Sequence, residues 1–425
     1  MAMTIVEKIL AQKSGKSMVK PDEIVEVSVD LAMIHDALGA HTIAKFKELE
    51  AEKIWDPEKI VVVLDHYVPN KDIDVAKKCL RIKKFVIEQG IENYYEVGKG
   101  GICHQVLVEK GHVLPGMVVV GTDSHMTTSG VMGAFATGIG VDEMAVVFKT
   151  GKLWERVPAT IRINVEGILL PPLTSKDLML FIIKRLGLSG AIFKSLQFTG
   201  STIDEMSLES RMVLTNMAVE TGATNGIIEP DQKVLNHLKP KTNHPLQVIR
   251  SDPDAEYAQT LEFRTDEIKE PMVAMPPDPS NGVWVSEMVG TKIDQAFIGA
   301  CTNGRLEDLR IAARILKGRK VSKYTKAIII PASQEVYKAA LKEGLIEILA
   351  EAGAAIGPPT CGPCMEAHMG ILGPGEVSIS SANRNFQGRA GDVSAKIFLA
   401  SPATVAASAI KGEISDPREF FKEAR

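Results

Sequence analysis

Six short runs of β-branched and aliphatic residues alternate along this chain with segments of helical period. The runs span residues 59–66, 117–125, 160–168, 294–303, 326–333 and 376–385. Helices are predicted between them over 72–90, 306–318 and 333–353, and the last two each end at a glycine. Because strand and helix alternate, the sequence predicts an α/β fold with mostly parallel sheets.

Two breaks in the pattern divide the chain into three predicted domains. A proline-rich stretch of low periodicity over 268–282 is the best candidate linker, and a softer boundary falls near 157–160. A chain of 425 residues is long enough to bury several cores. We therefore predict three α/β domains, over 1–158, 159–283 and 284–425, arranged around a central cleft.

The charge and cysteine content exclude several classes of protein. The net charge is only -4, with both signs interspersed, which predicts that neither nucleic acid nor a membrane is a partner. No apolar run reaches the ~18 residues of a membrane span, so we expect a cytoplasmic protein. Five cysteines without a signal peptide indicate thiols or ligands rather than disulfides. The surroundings of Cys79 and Cys103 are typical of packing cysteines.

Polar residues directly follow four of the predicted strands. They are Asp65 and His66, then Asp123, Ser124 and His125, then Cys301 and Asn303, and finally Asn383 and Arg384. The carboxyl ends of parallel strands face the ligand crevice of an open sheet. We therefore expect these side chains to converge on one site.

Cys361 and Cys364 are two residues apart in a glycine- and proline-rich loop. Such a spacing is shared by redox pairs, zinc sites and iron–sulfur sites, and the loop argues against a thioredoxin-like redox pair. With Cys301 and His368, the two cysteines would supply the four ligands of a structural zinc. Alternatively, the three thiolates would hold a cluster whose fourth position is open to substrate. Both interpretations remain open on these residues alone.

Further patterns indicate acid–base chemistry and anion binding. Adjacent aspartate and histidine residues, as in Asp65 and His66, suit proton handling, and no G-x-S-x-G motif supports a hydrolase. A helix predicted over 211–226 would carry Asn216 and Glu220 on one face.

Two arginines near the end of the last predicted domain are spaced to reach one anionic ligand. They are Arg384 and Arg389. Guanidinium groups bind carboxylates through two parallel hydrogen bonds, so the pair suits a carboxylate substrate.

Six motifs occur in order across nearly the whole chain: LDH, GICHQVLVEKG, GTDSH, ACTNGR, TCGPC and NRNFQGR. In this combination the chain resembles the aconitase superfamily. It is most similar to the large subunits of the two-chain members, the 3-isopropylmalate dehydratases and homoaconitases. The resemblance implies a hydro-lyase that dehydrates and rehydrates a substituted malate through a cis-alkene. Isopropylmalate, in leucine biosynthesis, is the first expectation; homoaconitase activity or a dimethylmalate- or citramalate-type substrate is the alternative.

The resemblance also implies a cofactor and roles for individual residues. A 4Fe-4S cluster would be held by Cys301, Cys361 and Cys364, with its fourth iron open to substrate, and His368 would not be a ligand. The catalytic positions would be Asp65, His66, His104, Asp123, Ser124, His125 and Glu220. The substrate carboxylates would bind Arg384 and Arg389, and amides beside the cluster would come from Asn216, Asn303 and Asn383.

One motif of the superfamily is absent from this sequence. The proton-abstracting serine lies in a GSSR-like motif on a swivelling fourth domain, which is a separate small subunit in the two-chain members. The resemblance therefore implies an aconitase-like fold without that domain, a small-subunit partner and a small di- or tricarboxylate substrate. Departures at Met126, Ser129, Glu366 and residues 35–41 are expected to alter the pocket wall. The non-enzyme alternatives are a zinc or redox-sensing binding protein and a regulatory, cluster-sensing relative.

Overall fold

The computed structural model describes residues 2–365 and 368–421 and confirms an α/β fold with mostly parallel sheets. A five-stranded parallel sheet of order β4-β3-β2-β5-β6 lies in the first part of the chain. Its elements and those around it are α1 (Ile5–Lys13), β1 (Ile24–Ser28), β2 (Leu31–His35), α2 (Gly39–Glu48), β3 (Ile60–Val63), α3 (Ile73–Gln89), β4 (Tyr94–Tyr95), α4 (Cys103–Glu109), β5 (Val118–Gly121), β6 (Phe135–Gly138), α5 (Val141–Thr150) and β7 (Lys152–Arg156).

A four-stranded parallel sheet of order β10-β9-β8-β11 follows. This part of the chain comprises β8 (Ala159–Glu166), α6 (Ser175–Leu186), β9 (Lys194–Thr199), α7 (Ser201–Glu205), α8 (Leu208–Met217), β10 (Asn225–Ile227), α9 (Gln232–Leu238) and β11 (Gln259–Arg264).

The last sheet has seven strands in the order β13-β12-β18-β17-β14-β15-β16 and is antiparallel only where β12 pairs with its two neighbours. Its elements are β12 (Met272–Ala274), β13 (Gly282–Trp284), β14 (Gln295–Ile298), α10 (Leu306–Leu316), β15 (Lys326–Ile329), α11 (Gln334–Lys342), α12 (Leu345–Glu351), β16 (Ala355–Ile356), β17 (Val377–Ser380), β18 (Lys396–Ala400), α13 (Pro402–Lys411) and α14 (Arg418–Phe421).

The parallel strands are buried on both faces, as their unbroken apolar runs predict. In β3, Ile60 and Val62 pack into one hydrophobic core, and Val61 and Val63 pack into another on the opposite face of the sheet. Helices cover both faces, so only the strand ends are open to solvent or ligand. No helix in the described ranges is both long and apolar enough to cross a membrane.

Three sequence predictions need correction. The helix predicted over 333–353 is two helices, because Gly344 between them adopts a left-handed φ of 70°. The helix predicted over 211–226 ends at Met217, and a 3-10 turn over Ala218–Thr221 carries Glu220. The predicted linker over 268–282 contains β12, whose backbone is hydrogen-bonded within the last sheet. The three-domain division itself remains a prediction.

A two-stranded antiparallel ribbon of β1 and β7 gives a test of pH-dependent stability. Burial raises the pKa of Glu155, opposite Val25 in this ribbon, from 4.5 to about 7. The folded state therefore binds this proton more tightly, and its stabilising effect is lost as pH rises from about 4.5 through 7. Relative to the wild type, the unfolding free energy of Glu155→Gln, measured by urea denaturation, should rise by up to about 3 kcal/mol as the pH increases from 5 to 8.

Glu26 on the neighbouring strand is the matched control. Hydrogen bonds from Lys152 and Trp154 lower the pKa of this exposed carboxyl. Glu26→Gln should therefore not reproduce the gain at pH 8. If the stability of Glu155→Gln followed the same pH profile as that of the wild type, Glu155 would not have a raised pKa in the folded protein.

Candidate active site

A cavity of about 470 Å³ lies where the carboxyl ends of the five-stranded and seven-stranded sheets face each other. The loops after β3 and β5 enter it from the first sheet, and the loops after β14, β16 and β17 enter it from the last. Most of the predicted site residues line it: Asp65, His66, His104, Asp123, Ser124, His125, Cys301, Cys361, Cys364, Asn383, Arg384 and Arg389. The expected convergence of the strand ends is therefore found in the structure.

Three predicted residues lie behind this lining. Glu220 accepts a hydrogen bond from His125 Nε2 at 2.7 Å, so it contacts the lining without being part of it. Asn216 accepts from Asn383 Nδ2 at 3.3 Å. Asn303 Nδ2 donates to Asp308 Oδ1 at 3.0 Å, and neither residue lines the cavity.

The three cysteines Cys301, Cys361 and Cys364 are buried, unpaired thiols at the wall of the cavity. Ala300, just before the first of them, has a left-handed φ of 66°, an uncommon conformation for a residue with a side chain. Gly362, between the other two, has a φ of 59°, and a Cβ atom there would lie 2.3 Å from Ile330 Cδ1. The uncommon backbone conformations of these two turns therefore position the thiols at the cavity wall.

The surroundings of the three thiols favour the thiolate form at Cys364 and the protonated form at Cys301 and Cys361. Asn383 Nδ2 donates to Cys301 Sγ at 3.2 Å, and an Arg389 amino group lies 3.8 Å from Cys364 Sγ. A hydrogen bond from Cys361 holds the pKa of Cys364 well below its usual range and that of Cys361 well above it. Burial raises the pKa of Cys301 to about 12. Binding of a metal centre would therefore release protons from this site.

The set of donor atoms suits iron and sulfur better than structural zinc. His368, the fourth ligand of the zinc hypothesis, does not line the cavity, and its Nε2 lies 3.5 Å from Thr360 Oγ1. Three soft thiolates without this imidazole match the ligation of an iron–sulfur cluster. The residues present thus fit a cluster with one open position.

Asp65 and His66 form a fully buried ion pair beside the thiols. His66 Nδ1 donates to Asp65 Oδ1 at 2.7 Å, and the other carboxylate oxygen accepts from the Cys103 backbone N–H at 2.7 Å. Burial lowers the pKa of His66, but the charges of Asp65 and Asp123 outweigh it, so the pKa is raised well above its ordinary value. Burial likewise opposes the ionisation of Asp65, yet His66 lowers its pKa overall. The imidazole is therefore charged at neutral pH.

Asp123 lies at the centre of a group of histidines. Its Oδ1 accepts from His104 Nε2 at 2.7 Å and from the His125 backbone N–H at 2.7 Å, while its Oδ2 lies 3.4 Å from His66 Nε2. Burial opposes its ionisation, but His104 and the other donors hold its pKa well below the ordinary value. Ligand atoms of His104, His125 and Cys301 all lie within 4.8 Å of one another, so two of these histidines lie close to a thiol of the cavity wall.

Arg384 and Arg389 both line the cavity, and each carries nitrogen donors that no described residue uses. Arg384 Nε donates to both oxygens of Glu220, at 2.9 and 3.0 Å. Its two terminal nitrogens have no hydrogen-bond partner among the residues that the structure describes. Arg389 Nε is likewise buried without a partner. Guanidinium groups are suited to bind a carboxylate through parallel hydrogen bonds.

A sequence model of the Aconitase family (aconitate hydratase) matches residues 7–292 and 286–412. The chain belongs to the aconitase family. The predicted enzyme class, a hydro-lyase, is thereby confirmed, and membership of the aconitase family implies an iron–sulfur cluster.

Relatives match this aconitase-family chain over nearly its whole length. The probable 3-isopropylmalate dehydratase large subunit of Methanothermobacter thermautotrophicus is 52% identical over 98% of this chain and 99% of its own. The 3-isopropylmalate dehydratase large subunit 1 of Pyrococcus furiosus is 49% identical over 99% of each. The probable methanogen homoaconitase large subunit of M. thermautotrophicus is 47% identical over 98% of each. The crystal structure of Thermococcus kodakaraensis aconitase X (holo-form) aligns over 89% of both chains with 13% identity and a TM-score of 0.49.

Two expectations about the cavity wall are wrong. Met126 packs in the core against Gly121, and Ser129 is fully buried, so neither lines the cavity of this aconitase-family chain. From the segment 35–41, by contrast, His35, Ala37 and Leu38 do line it. Glu366 lies outside the described residues. Cys79 packs in the core as predicted, whereas Cys103 is a core residue that also reaches the cavity.

Sequence reasoning missed two groups that hold the loop after β3. The His35 ring stacks on His66 with centroids 4.1 Å apart. Its Nδ1 accepts from the Ala37 N–H, and its Nε2 donates to the Thr122 carbonyl, which defines a neutral tautomer. Asp36 accepts the backbone N–H groups of residues 65, 66 and 67 at 2.7 to 2.9 Å. A histidine–aspartate pair at the end of β2 was the available signal.

Removal of the Asp36 carboxylate should loosen the aconitase-family site and the fold together. Asp36→Ala would leave three backbone donors near the cavity without their acceptor, at a cost of about 3 kcal/mol or more in unfolding free energy. Asp36→Asn keeps one acceptor oxygen and should lose less. Urea denaturation of the two variants checks this order. An Asp36→Ala protein as stable as the wild type would show that these three hydrogen bonds contribute little.

Proposed function

We propose that this chain is the catalytic, iron–sulfur large subunit of a 3-isopropylmalate dehydratase. The observation that carries the proposal is a single cavity lined by three thiols, paired aspartate and histidine residues, and two guanidinium groups with free donors. Relatives named as large subunits of that enzyme, at 49 to 52% identity, support the substrate class.

The cofactor in this proposal is a 4Fe-4S cluster held by Cys301, Cys361 and Cys364. When bound, the cluster supplies a Lewis-acidic iron that polarises a substrate hydroxyl and carboxylate. Asn216 and Asn383 would be the neighbouring amides, since Asn383 donates to Cys301 Sγ and to Asn216. Asn303, which bonds Asp308, would keep its loop in place rather than contact the cluster.

The proton donor to the leaving hydroxyl would be His66. Its raised pKa keeps it protonated, and its Nε2 is only loosely held, 3.4 Å from Asp123. A proton bound there can pass to an oxygen in the cavity while Asp65 fixes the ring through Nδ1. Asp65 would therefore orient the imidazole and stabilise its charge, and Asp123, which His104 holds through Oδ1, would keep a second carboxylate beside His66 Nε2.

His125, Ser124 and Glu220 would position the groups around this transfer. His125 donates to Glu220, and the same carboxylate holds Arg384 by its Nε atom. This link leaves the terminal nitrogens of Arg384 to bind a substrate carboxylate, with Arg389 beside it. Ser124 lines the cavity next to Asp123, where its hydroxyl can accept or donate a hydrogen bond.

A second chain completes the enzyme in this proposal. The relatives are named as large subunits, which supports a small-subunit partner. That partner would carry the swivelling domain and the group that abstracts the substrate proton. The three-domain division at 158 and 283 and a cytoplasmic location are parts of the same proposal.

The experiment is an anaerobic assay of the chain, with iron and sulfide, in the presence and absence of a co-purified small subunit. The pair should convert 2- and 3-isopropylmalate into each other, and the chain alone should not. Turnover of a homocitrate-type substrate instead would favour homoaconitase, which one relative at 47% identity supports. Stoichiometric zinc without iron, and no turnover of any malate, would refute the proposal.

A further inference from the structure

Lys176 is a buried cation that the proposed mechanism does not use. Its side chain is fully buried, and its Nζ donates to the carbonyl oxygens of Ser381 at 3.0 Å and Ala382 at 2.5 Å. No carboxylate in the described part of the chain lies within ion-pair distance of this nitrogen. Asp177, next in sequence, instead accepts hydrogen bonds from the backbone N–H groups of Met272 and Thr174.

The position of Lys176 is unfavourable for stability. It is the second residue of α6, where the helix dipole is positive and repels a cation. Burial lowers its pKa from 10.5 to about 7. A buried charge without a partner of opposite sign costs several kcal/mol in real proteins. The ammonium form of Lys176 therefore requires a negative charge nearby.

The turn that Lys176 holds leads directly to the thiols. Ser381 and Ala382 precede Asn383, whose Nδ2 donates to Cys301 Sγ at 3.2 Å and whose Oδ1 lies 3.6 Å from Cys364 Sγ. The charges that favour the ammonium form of Lys176 are those of Cys301 and Cys364, followed by Glu220. The turn over residues 381–383 therefore connects the Lys176 ammonium to two of the proposed cluster ligands.

We propose that Lys176 is the counter-cation of the iron–sulfur cluster: it offsets the negative charge of the three thiolates and holds the 381–382 carbonyls so that Asn383 faces them. This inference rests on the proposed cluster. It makes Lys176 a positioning and electrostatic residue, since it reaches the ligands through the turn rather than by contact. When the thiols lose their protons to bind the cluster, they would supply the negative charge that stabilises the ammonium form of Lys176.

The test compares Lys176→Met with Lys184→Met. Methionine matches the length of lysine and removes only the charge and the donors, and Lys184 is an exposed lysine in the last turn of the same helix. In reconstituted protein, Lys176→Met should lose iron to a chelator about tenfold faster than the wild type. Removal of one nearby charge from a protein interior typically changes an equilibrium by about this factor. The midpoint potential of the cluster should become more negative. The difference in Tm between cluster-loaded and cluster-free protein should shrink. Lys184→Met should match the wild type in all three.

Lys176→Arg keeps the charge and the donors and should restore slow iron loss; if it does not fold, the two methionine variants decide. The inference is overturned if Lys176→Met retains iron and potential like the wild type. It is also overturned if Lys176→Met lowers the Tm of the cluster-loaded and the cluster-free protein by the same amount, since a lysine with a purely structural role would give that result. A wild-type chain that takes up no cluster would instead refute the proposed function.

Discussion

Replacement of Cys301 by alanine is expected to lower dehydratase activity by about 10³-fold or more and to prevent assembly of a complete cluster. Cys301 comes from the loop after β14, whereas the other two cysteines come from the loop before β17. Loss of its thiolate removes the ligand that Asn383 orients. Iron and sulfide content, visible absorption and turnover with the small subunit should all fall together.

Cys79→Ala is the control for this experiment. Cys79 is also a buried thiol, but it packs on α3 in the core and does not line the cavity. Its replacement should leave the iron content and the visible spectrum unchanged. A Cys301→Ala protein that still bound a full cluster would remove Cys301 from the ligand set and return the zinc and redox alternatives.

Conservative replacement of Arg384 by lysine is expected to lower kcat/KM by about 10²-fold or more. Arginine binds Glu220 through Nε and keeps two terminal nitrogens for a carboxylate. A lysine ammonium is a single point charge, so it cannot keep Glu220 in place and also bind a carboxylate through two hydrogen bonds. Steady-state kinetics of the reconstituted pair of subunits measure the loss.

Arg310→Lys supplies the comparison, because Arg310 forms a bidentate pair with Glu343 outside the cavity. That substitution should change kcat/KM by less than about twofold, since exposed ion pairs contribute ~1 kcal/mol or less to stability and nothing to the site. If Arg384→Lys were equally silent, Arg384 would not bind substrate.

The elements of the fold were predictable where local patterns were strong. Each of the six predicted strand runs overlaps an observed strand, and the polar residues predicted after four of them, except Asn303, line the cavity. The errors came from backbone geometry. Gly344 breaks a continuous helical pattern, and the short strand β12 lies in a proline-rich stretch that has no strand periodicity of its own. Tertiary pairing, rather than local preference, holds β12 in its sheet.

The sequence alone predicted the α/β class, the closely spaced pair Cys361 and Cys364 and the aspartate–histidine pairs, because periodicity and residue spacing are local properties of a chain. Only the tertiary structure decided which partner each group has. Glu220, Arg384 and His125 are far apart in sequence, yet they form one hydrogen-bonded chain. Lys176 reads as an ordinary helix-start residue until burial and the 381–382 carbonyls enclose it. Charge and desolvation depend on three-dimensional surroundings, so these properties became visible only after the sheets had brought their strand ends together.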